Sequence, residues 1–399
     1  MPGSRGAVLR LLRRHHRLSR AEISERSGLS EASVSRTVAD LIRGDIVEEE
    51  GLEPSTGGRP AIRLRLSDRR YYSFGVDVDS WETRFTTCTP SGQVRDLDCV
   101  RTPRSPDEVM KLISERVKSH IGARQGFEAA GVGVAIRGIV DSRTGIVEVG
   151  HDNAWKSIAV RDGLRKRLSL PVFIDNNVRA AAFSEYHYGS PDVRDAHCLL
   201  FVGVEDGIGV SILFDGEVYP GQHMAAGEFG QMVIAHQHVD TRHDRPGCLE
   251  QLASDSATCR RYLALKGDAK KEPASDPAGL MRQICHLAKA GDSAALTALE
   301  ETARYLGVGV ANMVWGLDPD AVIVDGLITE AWSLVVPSIR KQFPQGPEFV
   351  GFRNLVLRPS ALGGQASLVG AAVLPFRELF TTGELPRFED SVNREARSA

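Results

Sequence analysis

A chain of 399 residues is longer than one ordinary hydrophobic core supports, so two or three domains are expected, and a composition of 42% hydrophobic and 25% charged residues is that of a globular protein. No stretch approaches the roughly 18–20 apolar residues of a membrane span, and the basic N-terminus lacks the apolar run and small-residue cleavage site of a secretory signal, so membrane and secreted classes are not expected. Six cysteines (88, 99, 198, 248, 259 and 285) have no framework spacing and read as reduced thiols of a cytoplasmic protein.

The net charge of −3 is unevenly spread. Residues 1–70 hold fourteen arginines, no lysine and ten carboxylates, a balance of +4, which leaves −7 for the rest. That asymmetry suits an anionic partner for the first segment, although a solvated arginine face would give the same count.

In chain order, Val8, Leu9, Leu11 and Leu12 form one side of a helical pattern, with Arg10, Arg13 and Arg14 on the other. Ser19-Arg20-Ala21-Glu22 is a capping box that opens a short helix reaching about Ser27, and Gly28 supplies the left-handed residue that ends it. Ser30 N-caps a third helix over 31–43. On it Val34, Val38 and Leu41 face the core, leaving Ser33, Ser35, Arg36, Thr37 and Asp40 outside. Two short helices joined by a glycine-containing turn predict a helix-turn-helix, whose second helix offers hydroxyls and an arginine to a major groove.

Residues 46–49 read as a strand and 62–66 as a second. The loop between them ends Gly57-Gly58-Arg59-Pro60 and is expected to form a wing. The residues expected to meet DNA are Arg20, Ser30, Ser33, Ser35, Arg36, Thr37 and Arg59. The competing reading is a three-helix packing module without DNA contact; agreement of caps, turn and wing within one short stretch favours DNA. The segments SRAEISERSGLSEASVSR and GGRP resemble the N-terminal domain of ROK-family regulators.

From about Tyr71 the pattern changes. Phe74-Gly75-Val76-Asp77-Val78 is a strand, two more precede Pro103, a helix covers 106–122, and residues 130–136 form a buried strand running into Gly138. The alternation starts again near Ala196 and predicts two α/β lobes with a cleft between them.

The order of motifs across 72–375 resembles the ROK sugar kinases and repressors, within the actin-like ATPase fold. The motifs are AIRGIVD (135–141), HDNAWK (151–156), FIDNNVRAAAFSE (173–185), GIGVSILFDGEVYPGQHMAAGEFGQ (207–231), PGCLEQLAS (246–254) and ALGGQASLVGAA (361–372). The resemblance implies a winged helix-turn-helix over 1–70 and a first lobe over 71–190, completed by a C-terminal helix near 365–380. It implies a second lobe over 191–364, and the scattered charges after 380 suggest a disordered tail over 381–399.

Several departures from the family pattern bear on chemistry. The family's glycine-rich ATP-phosphate hairpin stands here as Asp77-Val78-Asp79-Ser80-Trp81-Glu82, with both glycines lost and carboxylates in their neighbourhood. Asp77 then reads as a locally paired strand-end residue. Asn177 occupies the position of the family's catalytic aspartate, and an amide cannot act as a base. Catalysis is therefore not expected.

By motif position an effector would meet Asn153, Asn176, Asn177, Glu228, Gln231 and Glu250, although Glu228 and Glu250 also suit structural hydrogen bonds in turns. The family's structural zinc takes one His and three Cys. Gln231, Thr241, His243 and Cys248 stand in those positions, so only His243 and Cys248 remain as candidate ligands, with His236 and His238 nearby. A closed zinc site needs about four ligands, and neither zinc nor any cofactor is expected.

The resemblance implies a sequence-specific DNA-binding regulator, a repressor of sugar-related genes. It would act on a double-stranded operator as a homodimer or dimer of dimers, with a sugar or sugar-phosphate effector. The alternatives are a sugar kinase with an accessory DNA-binding domain, and a constitutive DNA-binding protein whose body serves only for dimerisation.

Overall fold

The computed structural model describes residues 3–52, 61–123, 126–150, 153–235, 245–268, 277–346 and 350–386. Its first helices begin and end where local chemistry dictates. They are α1 (Ser4–His15), α2 (Arg20–Ser27) and α3 (Glu31–Arg43). The Ser19 hydroxyl accepts the Glu22 amide while the Ser19 amide donates to the Glu22 carboxylate at 2.7 Å, completing the capping box. Gly28 ends α2 at φ 70°, and the Ser30 hydroxyl accepts the Ser33 amide at 3.3 Å to start α3. Strands β1 (Val47–Leu52) and β2 (Ile62–Leu66) then pair antiparallel, and a bridge from Leu18 to Leu64 ties the α1–α2 link to them.

The chain divides into two contact units, Met1–His187 with Ser367–Ala399, and Tyr188–Ala366. The first contains the helix-turn-helix. Its sheet is built from β3 (Tyr71–Val78), β4 (Glu82–Cys88), β5 (Val94–Arg101), β6 (Glu128–Ile136) and β9 (Val172–Asn176), with the hairpin β7 (Ile139–Asp141) and β8 (Ile146–Val149) between the last two. Helices α4 (Pro106–Ala123), α5 (Val160–Arg165) and α6 (Asn177–Tyr188) accompany it. The strand order is β5-β4-β3-β6-β9, with β3, β6 and β9 parallel.

The second unit repeats that order. Strands β10 (Cys198–Val204), β11 (Ile208–Phe214), β12 (Glu217–Val218), β13 (Ala321–Asp325) and β14 (Val356–Pro359) run β12-β11-β10-β13-β14, and β10, β13 and β14 are parallel. Around them lie α7 (Leu249–Ala253), α8 (Asp255–Leu265), α9 (Pro277–Lys289), α10 (Ser293–Leu317), α11 (Trp332–Arg340) and α12 (Val350–Arg353). Parallel neighbours need crossover helices, which is why strands and helices alternate in both halves.

The chain closes with α13 (Ala366–Val373) and α14 (Arg377–Thr382). Helix α13 lies directly on the first sheet. A Cβ on Gly75 would meet the Ala372 side chain at 2.5 Å, and one on Gly133 would overlap the Ala371 carbonyl, so only glycine permits this approach.

One core joins the helix-turn-helix to the first lobe. Val8, Leu9, Leu12, Ile23, Val34, Val38, Leu41 and Leu64 cluster with Ala130, Phe376, Leu379 and Phe380, all buried. The apolar side of α1 is covered by the C-terminal helix, a partner more than 360 residues away in sequence. The expectation of disorder from residue 381 is corrected in part: Thr381 and Thr382 belong to α14, and Leu385 packs on this shared core. Residues 387–399 lie outside the described residues. No helix among the described residues is long and apolar enough to cross a membrane.

Candidate nucleic-acid interface and effector site

Helix α3 buries Val34, Val38 and Leu41 and leaves Ser35 and Arg36 exposed. Ser30 is exposed at its N-cap and Ser33 is half-buried behind it. Thr37 departs from expectation. It is buried, 7% exposed, and its hydroxyl lies 3.3 Å from that of Ser4, because the start of α1 packs over this part of α3. It is therefore removed from the exposed face. Arg20 is held 2.9 Å from Glu49 of β1, and Arg59 lies outside the described residues.

Local pairing explains why a +4 segment presents few available cations. Arg17 pairs with Glu50 at 2.6 Å, Arg43 with Asp40 at 3.2 Å, Arg69 with Glu48 at 2.8 Å and Arg70 with Glu128 at 2.7 Å. Arg63 and Arg65 are bonded to Glu22 and Glu48. Arg36 is different: its Nε reaches only the Ala32 carbonyl, at 3.4 Å, and it has no carboxylate partner among the described residues. Arg26 at the end of α2 has no carboxylate partner among the described residues and meets His15 at 3.4 Å. In the sequence Arg26 is indistinguishable from a basic last-turn residue that serves the helix dipole.

Glu22 is the anchor beneath this face. Burial would raise its pKa, but the Ser19 amide, the Arg63 guanidinium and the Ser19 hydroxyl outweigh that and hold it at about 2.

The residues aligned with the family's sugar and phosphate sites fall into both units. In the first, Asp77 is 4% exposed and fully engaged: Arg84 donates to it at 2.5 Å and the Ser367 hydroxyl at 2.9 Å. Asn176 caps α6, its side-chain oxygen accepting the amides of Val178 and Arg179 at 2.9 and 3.0 Å while its Nδ2 donates to the Gly138 carbonyl at 2.8 Å. Both acceptor positions of that amide are thereby used, and one of its N–H groups has no partner among the described residues. Asn177 beside it is half-buried and its side chain has no hydrogen-bond partner among the described residues. The buried pair beneath them joins Arg179 to Asp175 at 2.6 Å. Asn153 lies in a short 3-10 turn, Asn153–Trp155.

In the second unit, Gln231 and Glu250 come together. The Gln231 amide donates to Glu250 at 3.4 Å, and the other Glu250 oxygen accepts the Ile208 amide at 3.0 Å. A Cβ on Gly207 would lie 2.6 Å from that oxygen, so glycine admits the carboxylate to this loop. Glu228 is exposed at the start of the turn Phe229–Gln231. Cys248 is buried and its backbone bridges to Val233, while His236, His238, Thr241 and His243 lie outside the described residues.

Comparison with known proteins gives this geometry a context. The ROK family profile matches residues 73–378, and a MarR family profile matches residues 1–58. The xylose repressor of Bacillus subtilis (strain 168) is 27% identical over 366 residues, covering 91% of this chain and 92% of that protein. The DNA-binding transcriptional dual regulator NagC of Escherichia coli (strain K12) is 27% identical over 341 residues, covering 84% of this chain and 82% of that protein. Among solved structures, a ROK family transcriptional regulator described as a homologue of the E. coli MLC protein superposes with a TM-score of 0.75 at 25% identity, over 92% of this chain and 94% of that one. A ROK family glucokinase from Streptomyces griseus, in complex with glucose and AMPPNP, gives a TM-score of 0.63 at 25% identity, over 76% of this chain and 98% of the kinase. With two lobes of repeated strand order, a helix-turn-helix ahead of them and a profile match across most of its length, the chain belongs to the ROK family.

Proposed function

We propose that the protein is a sugar-responsive repressor that reads an operator through α3 and has no kinase activity. The observation that carries the reading is Arg36, exposed on the second helix of a helix-turn-helix and without a carboxylate partner among the described residues. A guanidinium so placed suits the paired acceptors of guanine in a major groove or a backbone phosphate. Ser30, Ser33 and Ser35 would accompany it, with Arg20, Arg26 and the wing's Arg59 as phosphate contacts. Each chain offers one such helix, so a palindromic operator calls for a homodimer or a dimer of dimers, with half-sites spaced by whole turns of DNA.

Absence of catalysis is supported by three local arrangements. Asn177 stands in place of the proton-accepting carboxylate, Asp77 is spent on Arg84 and Ser367, and Glu250 takes the Ile208 amide in the 207–231 motif, which the family resemblance aligns with a second phosphate loop. By motif position, sugar recognition would use Asn153, Asn176 and Asn177 together with Glu228, Gln231 and Glu250. The core shared by α1 and α14 gives an effector a route to the DNA-binding helices. Release of DNA requires only that the effector prefer one arrangement of that core. Selection of bound genomic fragments tests the reading: it should enrich one two-fold symmetric site, whose retention falls with one sugar or sugar phosphate from a panel. Enrichment without sequence preference would refute it.

A further inference from the structure

A cavity of about 400 Å³ opens in the first unit between β9, α5 and the C-terminal helix α14. Its size falls in the range of roughly 300–1,000 Å³ typical of small-molecule sites. Val172 and Leu374 give it an apolar wall, and Arg161, Arg165 and Arg377 line it together with Asp175 and Glu378. Asp175 lies between Arg179, at 2.6 Å and outside the lining, and Arg377, at 3.8 Å and within it. Arg161 donates to the carbonyls of Arg143 and Thr144 at 2.8 and 2.6 Å. Three arginines and two carboxylates thus share the lining of a partly apolar pocket, and none of the residues aligned with the sugar or phosphate sites lines it.

The same wall touches the DNA-binding helices. Arg377, Glu378 and Thr381 line the cavity, while Phe380 between them is buried in the core shared with α1. The Phe380 carbonyl accepts Arg10 of α1 at 3.1 Å, and a Cβ on Gly6 would stand 2.4 Å from the Thr381 carbonyl. The Arg377 guanidinium lies 4.8 Å from the Phe183 ring centroid, and that of Arg13 in α1 lies 5.4 Å from the same ring. A ligand that draws Arg377 inward therefore acts on a ring that α1 also touches.

We propose that this cavity binds a small organic anion, whose phosphate or carboxylate group is taken by Arg165 and Arg377, and that α1 senses its occupancy. Guanidinium forks match both groups with paired, charge-assisted hydrogen bonds. The sensing half rests on the reading of the N-terminal helices as DNA-binding; the binding half does not.

The test is titration calorimetry on the full chain at constant ionic strength, with inorganic phosphate, glucose 6-phosphate and citrate as probes and glucose as the neutral control. The proposal expects saturable binding of at least one anion, weakened about tenfold or more by both Arg165→Ala and Arg377→Gln. Both variants should keep the wild-type circular dichroism spectrum. Phosphate and citrate separate the two anion chemistries. Hydrogen exchange over residues 4–15 should change at saturation. Absence of saturable binding by all three anions, or binding that survives both substitutions, would overturn the site. Unchanged exchange over 4–15 at saturation would overturn the sensing. Neither readout uses DNA, so loss of the operator reading would leave the binding result standing.

Discussion

The guanidinium of Arg13 in the first helix lies 4.4 Å from the ring centroid of Phe380 in the last, and its Nη2 donates to Nε2 of His187 at 3.2 Å. One arginine of the helix-turn-helix thus rests on an aromatic ring of the C-terminal helix and on a histidine of α6, and it is 5% exposed. A buried cation in this position joins the DNA-binding segment to the lobe that follows it.

Removing that contact should loosen the junction. Arg13→Ala is expected to destabilise the protein by about 2 kcal/mol, since a desolvated cation–π contact and a buried hydrogen bond each contribute roughly 1–2 kcal/mol. Phe380→Ala should cost about 3–5 kcal/mol through the cavity it leaves. In denaturant unfolding the double variant should lose less than the sum of the two, by at least about 0.5 kcal/mol. Strict additivity would show that the two side chains do not support one another.

The capping box makes a prediction about pH. Glu22 falls from an ordinary value of 4.5 to about 2 in the folded chain, so it binds protons more weakly folded than unfolded. Its stabilisation is fully present above the unfolded value and is lost as pH falls towards the folded one. Glu22→Gln should therefore cost about 1 kcal/mol at neutral pH, a deficit that shrinks between about pH 4.5 and pH 2. A deficit in melting temperature that stays constant across that window would contradict the assignment.

On the proposed reading, an aspartate at position 177 should not confer kinase activity. Asn177→Asp supplies an acceptor for a hydroxyl proton, but Asp77 remains tied to Arg84 and Ser367, and the first hairpin still lacks both glycines of the family pattern. Phosphate transfer from ATP to a sugar panel should stay at background for both wild type and variant. Turnover by the variant would show that the phosphate cradle is intact after all.

The parts of the structure that sequence made legible are those decided within a few residues. The boundaries of α2 and α3 follow from Ser19 with Glu22, Gly28, and Ser30 with Ser33, all local contacts, and the burial of Val34, Val38 and Leu41 follows from helical spacing. The two-lobe α/β architecture was likewise legible, in the alternation of strands with crossover helices. Thr37 was misread because its burial depends on Ser4, 33 positions away. That Asn176 caps α6 beside the Gly138 carbonyl emerges only when strand ends are placed together. The contacts of Arg13 with His187 and Phe380, and the arginines gathered beside α14, join segments too distant for any pattern of spacing to report.

The central claim is that α3 reads DNA through Arg36. The measurement that tests it most directly is the affinity of wild type and Arg36→Ala for the selected operator fragment and for a scrambled fragment, at one fixed salt concentration. A base-reading arginine contributes roughly 1–3 kcal/mol, or about 10- to 100-fold in affinity. The account predicts that the variant loses this much on the operator, far less on the scrambled DNA, and nothing in folded stability. Equal operator affinity of wild type and variant would contradict it.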